Sequence, residues 1–357
     1  MAPVVRALRE AEDFDCIVLS TGQHREMLRQ VLDIFEVSVD HDLEVMTAGQ
    51  TLNGAFQAIV AGMDRLLDQT RPDVLLVHGD TTTAAAAAIA AFHRRIPVAH
   101  VEAGLRSGRM DQPWPEEFNR RVVDMVATLC FAPTEGSRAN LLAESIPDSR
   151  IIVTGNTVID ALLETSARIE ADAELRDRLD ARFAGLDETL PLVLVTGHRR
   201  ESFGDGFRGI CEALKALDAT GEVQILYPVH MNPNVSGPVH ALLAGCERVM
   251  LTEPVDYLTF VRLMQRCSVI LTDSGGVQEE APSLGKPVLV MREVTERPEA
   301  VAAGTAELVG VDSGRIVCKV LERLRAGPGT GGGNPYGDGQ AARRIVEGLR
   351  LAADDLR

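Results

Sequence analysis

The sequence is poor in lysine, in aromatic residues and in long apolar runs. Of its 357 residues, three are lysine and one is tryptophan, and aromatic residues make up 4%. No apolar run approaches the roughly 20 residues that a membrane-spanning helix needs. The 36 basic residues are outnumbered by 52 acidic ones, and the resulting net charge of −16 argues against a nucleic-acid partner. The composition therefore predicts neither a membrane protein nor a nucleic-acid-binding protein.

Regular cysteine spacing is absent as well. The six cysteines lie at positions 16, 130, 211, 246, 267 and 318 and include no Cys-X-X-Cys pair. Scattered cysteines of this kind are typical of free thiols in a reducing compartment. The opening segment is charged and helix-like rather than apolar, which does not fit a secretory signal. We therefore expect the protein to be cytoplasmic.

What the sequence does contain is a repeated alternation of short apolar runs and helix-length amphipathic segments. This strand–helix alternation favours an α/β fold with parallel sheets covered by helices. The alternation occurs twice, which predicts two doubly wound, Rossmann-like domains. We expect residues 1–156 to form the N-terminal domain and residues 157–338 the C-terminal domain. The last helix, within 339–357, is expected to return to the first domain.

Ten strands are predicted from the apolar runs, five in each half of the chain. In open α/β sheets, ligands bind beyond the carboxyl ends of the strands, and with two such domains the expected site is the cleft between them. The predicted strands are 15–20, 74–77, 98–101, 128–132, 151–154, 192–195, 224–229, 249–251, 269–272 and 287–290.

Acidic residues follow two predicted strands of the first half. Asp80 comes after the strand 74–77 in the segment His-Gly-Asp-Thr-Thr-Thr, Glu102 directly follows the strand 98–101, and Glu116 begins the next predicted helix. The carboxyl ends of parallel strands share one edge of a sheet, so we expect these three carboxylates on the same side. Crowded carboxylates push their pKa values apart, which lets one site hold a general acid and a general base. The pattern predicts proton-transfer chemistry.

Each of these residues also has a purely structural interpretation. Asp80, or one of the threonines after it, fits the N-cap of the following helix. Glu116 and Arg120 stand four residues apart and fit an ion pair on one helix face. Both interpretations stay open on the sequence alone.

Basic residues follow two predicted strands of the second half. The strand 192–195 leads to His198 and Arg199, a pairing that suits an anionic ligand but also fits an exposed run of charges. The strand 224–229 ends next to His230, which fits either a ligand contact or a hydrogen-bonded loop residue.

A glycine-containing turn follows the predicted strand 269–272. Ser274, Gly275 and Gly276 stand where a strand turns into a helix, so exposed N–H groups and the helix dipole would favour a phosphate there. The turn has neither the lysine of a Walker A motif nor the spacing of a dinucleotide fingerprint. Glu280 lies one turn further on, where a carboxylate reaches ribose hydroxyls. The alternative is a tight strand-to-helix turn without a ligand.

These segments together resemble the bacterial non-hydrolysing UDP-N-acetylglucosamine 2-epimerases, and the resemblance extends over nearly the whole chain. The segments that carry it are TGQHREML (21–28), HGDTTT (78–83), HVEAGLRSG (100–108), PWPEEFNR (113–120), GNTVID (155–160), TGHRRESFGDGF (196–207), PVHMNP (228–233), DSGGVQEEAPSLGKPVLVMR (273–292), TERPEA (295–300) and NPYGDG (334–339).

The resemblance implies a fold of the glycosyltransferase-B type, a homodimer, and chemistry without NAD, a metal or another cofactor. It implies interconversion of UDP-N-acetylglucosamine (UDP-GlcNAc) and UDP-N-acetylmannosamine (UDP-ManNAc), supplying ManNAc units for cell-surface polysaccharide. In that family UDP is eliminated to leave 2-acetamidoglucal, and it then adds back with the C2 proton delivered to the opposite face.

The resemblance also implies roles for individual residues. The proton-transfer carboxylates are Asp80, Glu102 and Glu116, and His198 is a catalytic or diphosphate-contacting residue. Arg120 orients Glu116 or the sugar, and residues 253–260 line the uracil pocket. The implied substrate contacts are Arg120, Arg199, His230, Phe260, Ser274, Gly275, Gly276 and Glu280. An activator site is implied near Gln23 and His24.

Three alternative functions remain compatible with the sequence. A hydrolysing epimerase would release UDP and free ManNAc, and a glycosyltransferase of the same fold would use the diphosphate and ribose sites without needing three carboxylates. The third alternative is a catalytically impaired relative that only binds nucleotide sugars.

The start of the chain bears on that third alternative. Residues 1–5 match only the end of a GTRPEAIKMAP-like loop that opens other family members. We expect the natural chain to begin upstream, with the first strand of the N-terminal sheet absent from this sequence.

Overall fold

The computed structural model describes residues 1–22, 25–47, 49–197, 205–327 and 333–354. The chain divides into two compact units. The first unit comprises Met1–Ala161 together with Tyr336–Arg357, and the second comprises Leu162–Pro335. Each unit contains parallel sheet and helices, so the predicted α/β class is confirmed.

The first half of the chain contains thirteen named elements among the described residues. In order they are α1 (Ala2–Glu10), β1 (Leu19–Ser20), α2 (Arg25–Ile34), β2 (His41–Asp42), α3 (Leu52–Thr70), β3 (Leu75–His78), α4 (Thr82–His93), β4 (Val98–Val101), α5 (Glu116–Val126), β5 (Leu129–Ala132), α6 (Glu135–Ala143), β6 (Ile151–Val153) and α7 (Thr157–Ala171).

The remaining named elements run from α8 to α15. They are α8 (Ala173–Ala181), β7 (Leu192–Thr196), α9 (Asp205–Thr220), β8 (Gln224–Pro228), α10 (Pro233–Leu243), β9 (Val249–Thr252), α11 (Tyr257–Arg266), β10 (Val269–Thr272), α12 (Gly275–Glu280), β11 (Val288–Val290), α13 (Pro298–Ala302), β12 (Ala306–Leu308), α14 (Ser313–Ala326) and α15 (Ala341–Leu351). Within the described ranges, no helix is both long and apolar enough to cross a membrane.

The main sheet of the first unit has the order β3-β4-β5-β6, with every pair parallel. All four residues of β4 are buried, because helices cover both faces of this central strand. On one face lies α4, in which seven alanines are buried and allow close helix packing. The carboxyl ends of β3 and β4 therefore lie side by side at one edge.

The predicted strand at 15–20 is largely wrong. Only Leu19–Ser20 is a strand, and it pairs in parallel with β2, a partner that the sequence did not predict. The pairing stops after two residues, because the partner strand is only the exposed His41–Asp42. These two strands form a small sheet of their own.

The last helix, α15, belongs to the first unit. Its residues Ile345 and Leu349 are buried in one cluster with Val4 and Leu8 of α1. Burial of each such side chain contributes about 1.5–3 kcal/mol. Gly348 allows the close approach, because a Cβ there would lie 2.8 Å from side-chain atoms of Phe131 and Ile152.

The second unit has one six-stranded parallel sheet with the order β12-β11-β10-β7-β8-β9. With β7 taken as its first strand, the sheet has the strand order of a doubly wound nucleotide-binding fold. The chain adds strands on one side of β7 up to β9 and then on the other side from β10 onward, so the direction reverses between β7 and β10. The two strands end at Thr196 and Thr272, whose hydroxyl oxygens are 2.6 Å apart. The loop after β10 therefore begins at the switch point of the sheet.

Candidate active site

Asp80 lies two residues after β3, in a turn that glycine makes possible. Gly79 has a φ of +66°, and its N–H donates to Val101 O at 3.0 Å. The N-cap of α4 is Thr81, whose hydroxyl accepts from Ala84 N at 3.2 Å. The cap interpretation therefore applies to Thr81, and the Asp80 carboxylate has a different partner.

That partner is Arg120 on α5. Arg120 Nη2 donates to Asp80 Oδ2, and Arg120 Nη1 donates to Glu117 Oε2 at 3.4 Å. The side chain of Asn119 donates to the main-chain oxygen of Asp80 at 2.9 Å. Among the described residues, Arg120 thus pairs with Asp80 and Glu117 rather than with Glu116, so the i,i+4 interpretation of Glu116 is wrong.

Glu102 is the first residue after β4 and has a left-handed backbone, with φ at +69°. A non-glycine residue in this region costs roughly 1–2 kcal/mol and persists where the surrounding structure enforces it. Its carboxylate accepts from Asn156 Nδ2 at 3.2 Å and lies 3.8 Å from His78 Nε2. A Cβ at Gly79 would lie 3.1 Å from Glu102 Oε2, so the turn that carries Asp80 borders this carboxylate.

Glu116 is the first residue of α5 and is half-buried. The positive end of the helix dipole stabilises a negative charge there. The next residue, Glu117, is fully buried and accepts from Ser107 N and from Arg121 Nε, each at 3.0 Å. Glu117 was not predicted as a functional residue from the sequence. Its spacing of three and four residues from Arg120 and Arg121 was the available signal.

A second buried charge cluster was also missed. His100 in β4 lies 2.6 Å from Asp124 Oδ1, and Asp124 Oδ2 lies 2.8 Å from Arg106 Nη1. Burial raises the pKa of Asp124, but the charges and hydrogen bonds of His100 and Arg106 outweigh burial and hold that pKa below its ordinary value. Asp124 is therefore a carboxylate at neutral pH.

In the second unit, the loop after β10 joins the strand to α12. Ser274 stands at the N-cap position, and its N–H donates to Thr272 Oγ1 at 3.0 Å. Among the described residues, a Cβ at Gly276 would meet only Ser274 Oγ, at 4.0 Å, so this part of the structure leaves space beside the glycine. A phosphate can approach the main-chain N–H groups of such a turn.

Glu280 ends α12 and is 7% exposed. Tyr257 Oη donates to Glu280 Oε1 at 3.0 Å. Burial raises the pKa of Glu280 to about 7, against the lowering effect of this hydrogen bond and with a small addition from Glu279. Tyr257 was missed as an individual residue, although it lies inside the predicted uracil segment at 253–260.

Of the remaining predicted site residues, Phe260 and His230 are among the described residues and four others are not. Phe260 is half-buried on α11, and exposed His230 accepts at Nδ1 from Asn232 N at 3.1 Å. His198, Arg199, Gln23 and His24 lie outside the described residues. Within the described ranges, no group of three or more histidine, cysteine, aspartate or glutamate side chains is arranged to hold a metal ion.

Comparison with known proteins places this arrangement in a family. Residues 6–350 match the family model for UDP-N-acetylglucosamine 2-epimerase. The UDP-N-acetylglucosamine 2-epimerase of Salmonella typhimurium is 54% identical, over 98% of this chain and 94% of the relative. The Escherichia coli K12 enzyme of that name is 52% identical over the same shares.

A solved structure agrees in both fold and sequence. The crystal structure of UDP-GlcNAc 2-epimerase from Neisseria meningitidis bound to UDP-GlcNAc has a TM-score of 0.89 and 44% identity, covering 98% of this chain and 96% of that one. The two Rossmann-like units are thus those of a glycosyltransferase-B-type fold. The chain belongs to the UDP-N-acetylglucosamine 2-epimerase family.

Proposed function

We propose that this enzyme interconverts UDP-GlcNAc and UDP-ManNAc by eliminating UDP and adding it back, without net hydrolysis. The observation that carries the proposal is the placement of three carboxylates, Asp80, Glu102 and Glu116, after β3, after β4 and at the start of α5. Inversion at C2 needs a base that removes the proton and an acid that returns it from the other face. A cluster of carboxylates supplies both.

The first half of the reaction breaks the C2–H and C1–O bonds and forms a C1–C2 double bond and a carboxyl O–H bond. A carboxylate takes the proton from C2, and the C2–H electron pair forms the C1–C2 double bond. The C1–O bond breaks, and its electron pair leaves on the β-phosphate oxygen of UDP. The enzyme then holds UDP and neutral 2-acetamidoglucal.

The second half reverses these changes on the opposite face of C2. A carboxylic acid delivers a proton to C2, while the β-phosphate oxygen attacks C1 and its electron pair forms the new C1–O bond. One proton leaves C2 and another is returned, and exchange with solvent resets the two carboxyl groups, while the same UDP departs and adds back. No redox cofactor is needed, because no electrons are gained or lost.

Arg120 holds the carboxylate of Asp80 in place for this chemistry. Its two Nη atoms bind Asp80 and buried Glu117, so the guanidinium has little freedom. A charge-assisted hydrogen bond of this kind fixes the orientation of the carboxylate. Together with Glu102 and Glu116, Asp80 supplies the proton-transfer groups of the proposal.

The second unit supplies the nucleotide contacts. The N–H groups at Ser274, Gly275 and Gly276 bind the diphosphate, and this stabilises the negative charge that develops as UDP departs. Glu280, held by Tyr257, accepts hydrogen bonds from the ribose hydroxyls. Residues 253–260, including Phe260, line the uracil.

Other residues enter the proposal on the family pattern. His198, Arg199 and His230 contact the diphosphate, and Gln23 and His24 belong to an activator site for a second UDP-GlcNAc. The protein is a cytoplasmic homodimer in this proposal. Its six free cysteines, three of them buried, support a reducing compartment. Light scattering on the purified protein tests the dimer.

Incubation with UDP-GlcNAc in D₂O tests the reaction. We expect UDP-ManNAc to form, with deuterium at C2 of the product and of recovered substrate, as followed by NMR. Free ManNAc and UDP in place of UDP-ManNAc would identify a hydrolysing enzyme. Product that keeps the original C2 proton would exclude the elimination route.

A further inference from the structure

A fully buried histidine lies directly behind the turn that carries Asp80. The His100 side chain is on β4, and its Nε2 lies 2.9 Å from the main-chain oxygen of Gly79. On the other side of the ring, Nδ1 lies 2.6 Å from Asp124 Oδ1 on α5. The imidazole therefore bridges α5 and the β3–α4 turn.

Both ring nitrogens of His100 face hydrogen-bond acceptors. The main-chain oxygen of Gly79 can only accept, so Nε2 carries a proton. Nδ1 lies against Asp124, which also accepts from Gly104 N at 3.3 Å and pairs with Arg106. The ring is thus held from α5 at Nδ1 while Nε2–H donates to Gly79.

The contact with Gly79 restrains the residue that follows it. The Gly79 carbonyl belongs to the peptide group shared with Asp80, and Asn119 holds the next carbonyl, that of Asp80 itself. Arg120 holds the carboxylate. The main chain on both sides of Asp80 and its side chain are therefore each held by a donor from β4 or α5.

We propose that His100 is a positioning residue for Asp80: its Nε2–H holds the Gly79 carbonyl and so fixes where the Asp80 carboxylate meets the substrate. This rests on the proposed epimerisation. Misplacing a reacting group by about 1 Å costs on the order of 100-fold in rate. A positioning residue should therefore affect kcat while substrate binding by the second unit is unchanged.

Two variants each keep one of the two hydrogen bonds that the His100 ring makes. A glutamine amide nitrogen occupies nearly the place of Nε2, and an asparagine amide nitrogen that of Nδ1. His100→Gln keeps a donor to Gly79 and loses the one to Asp124, whereas His100→Asn does the reverse. We expect His100→Asn to lower kcat about 100-fold with little change in KM, and His100→Gln to keep most of kcat.

Thermal unfolding of both variants provides the stability control, since each removes one of two buried hydrogen bonds. Equal losses of kcat in the two variants, or a loss confined to KM, would overturn the proposal. So would full activity of a folded His100→Asn.

A measurement on the unaltered protein covers the case in which a variant does not fold. The chain has eight histidines, and ¹⁵N NMR of histidine-labelled protein reports the protonation of each ring nitrogen. We expect Nε2 of the His100 ring to carry a proton, with that ring assigned from its through-space contacts with Gly79 and Asp124. If Nε2 of that ring carries no proton, Gly79 is not held and the proposal fails. Absence of epimerase activity in the unaltered protein would instead overturn the proposed function.

Discussion

The guanidinium of Arg120 joins Asp80, which lies forty residues earlier in the chain, to Glu117 on its own helix. One Nη atom donates to each carboxylate. The orientation of Asp80 therefore depends on Glu117, a buried residue that lies on α5 and not in the turn that carries Asp80. Two predictions follow from this arrangement, one for each carboxylate.

Replacing Asp80 by asparagine should remove proton transfer while leaving substrate binding. Loss of a positioned acid–base group costs roughly 100- to 10,000-fold in rate, and we expect kcat for UDP-ManNAc formation to fall within that range with KM nearly unchanged. Initial rates measured by NMR check this.

Asp68→Asn is the matched control for the same substitution. Asp68 is an exposed partner of Arg94, which keeps its second partner Asp64. The control should retain full activity. An Asp80→Asn variant as active as Asp68→Asn would remove Asp80 from the mechanism.

Replacing Glu117 by glutamine should affect both stability and rate. The buried carboxylate accepts from Ser107 N, Arg120 and Arg121. A neutral amide removes this negative partner from both guanidiniums, which keep only Asp80 and Glu144 among the described residues. Breaking a buried ion pair in this way costs about 3–5 kcal/mol. We expect that loss in urea unfolding and a lower kcat, because Arg120 without its contact to Glu117 no longer fixes the orientation of Asp80.

The comparison variant for Glu117→Gln is Glu135→Gln. Glu135 is largely exposed, at 76%, and pairs with Arg138 across one helix turn. Its loss should change the free energy of unfolding by no more than about 1 kcal/mol. Equal stability of the two variants would contradict the role given to Glu117.

Two glycine-to-alanine substitutions should have opposite effects. Gly276→Ala places a Cβ that meets no described atom closer than 4.0 Å, so stability should be unchanged or slightly higher. The methyl group should obstruct an approaching diphosphate and raise KM about tenfold. Gly348→Ala places a Cβ 2.8 Å from Phe131 and Ile152. It should cost about 1–3 kcal/mol through overpacking and leave KM unchanged.

Thermal unfolding measures the stability of the two glycine variants, and calorimetry with UDP measures how tightly each binds the nucleotide. A Gly276→Ala variant that binds UDP as tightly as the unaltered protein would argue against diphosphate binding at this turn.

Glu280 should make the stability of the second unit depend on pH. Its pKa is raised from 4.5 to about 7, so near pH 5 the folded chain holds a proton that the unfolded chain has largely lost. The stability from this residue is complete below pH 4.5 and is lost as pH rises to about 7. The loss amounts to roughly 3 kcal/mol.

Glu280→Gln, which mimics the protonated form, isolates this effect. Urea unfolding at pH 5 should show little difference between the variant and the unaltered protein. At pH 8 the variant should be the more stable by about 3 kcal/mol. A difference that does not change with pH would show that Glu280 is ionised throughout.

The sequence predicted the family, the α/β class and the positions of the carboxylates relative to the strands. These depend on local patterns, since an acidic residue such as Glu102 directly after an apolar run marks the end of a strand. The family assignment and the fold class are confirmed by the comparisons. The catalytic and binding roles of the individual residues stay predictions.

The sequence did not reveal which neighbouring charges are buried and paired. Glu116 and Glu117 are adjacent and chemically alike, yet Glu116 is half-buried and Glu117 fully buried, because the orientation of α5 decides which faces inward. The hydrogen-bond partners of His100 and Tyr257 are Asp124 and Glu280, which lie 24 and 23 residues away in the sequence. Such pairs are set by tertiary packing and leave no periodic signal.

The position of α15 has a consequence for synthesis of the chain. The cluster that joins α1 to Ile345 and Leu349 is completed by residues translated after the entire second unit. Domains generally fold in the order in which they leave the ribosome. Here the second unit can fold while Val4 and Leu8 still lack their partners on α15. The N-terminal half is thus translated first and is the later of the two to complete its core.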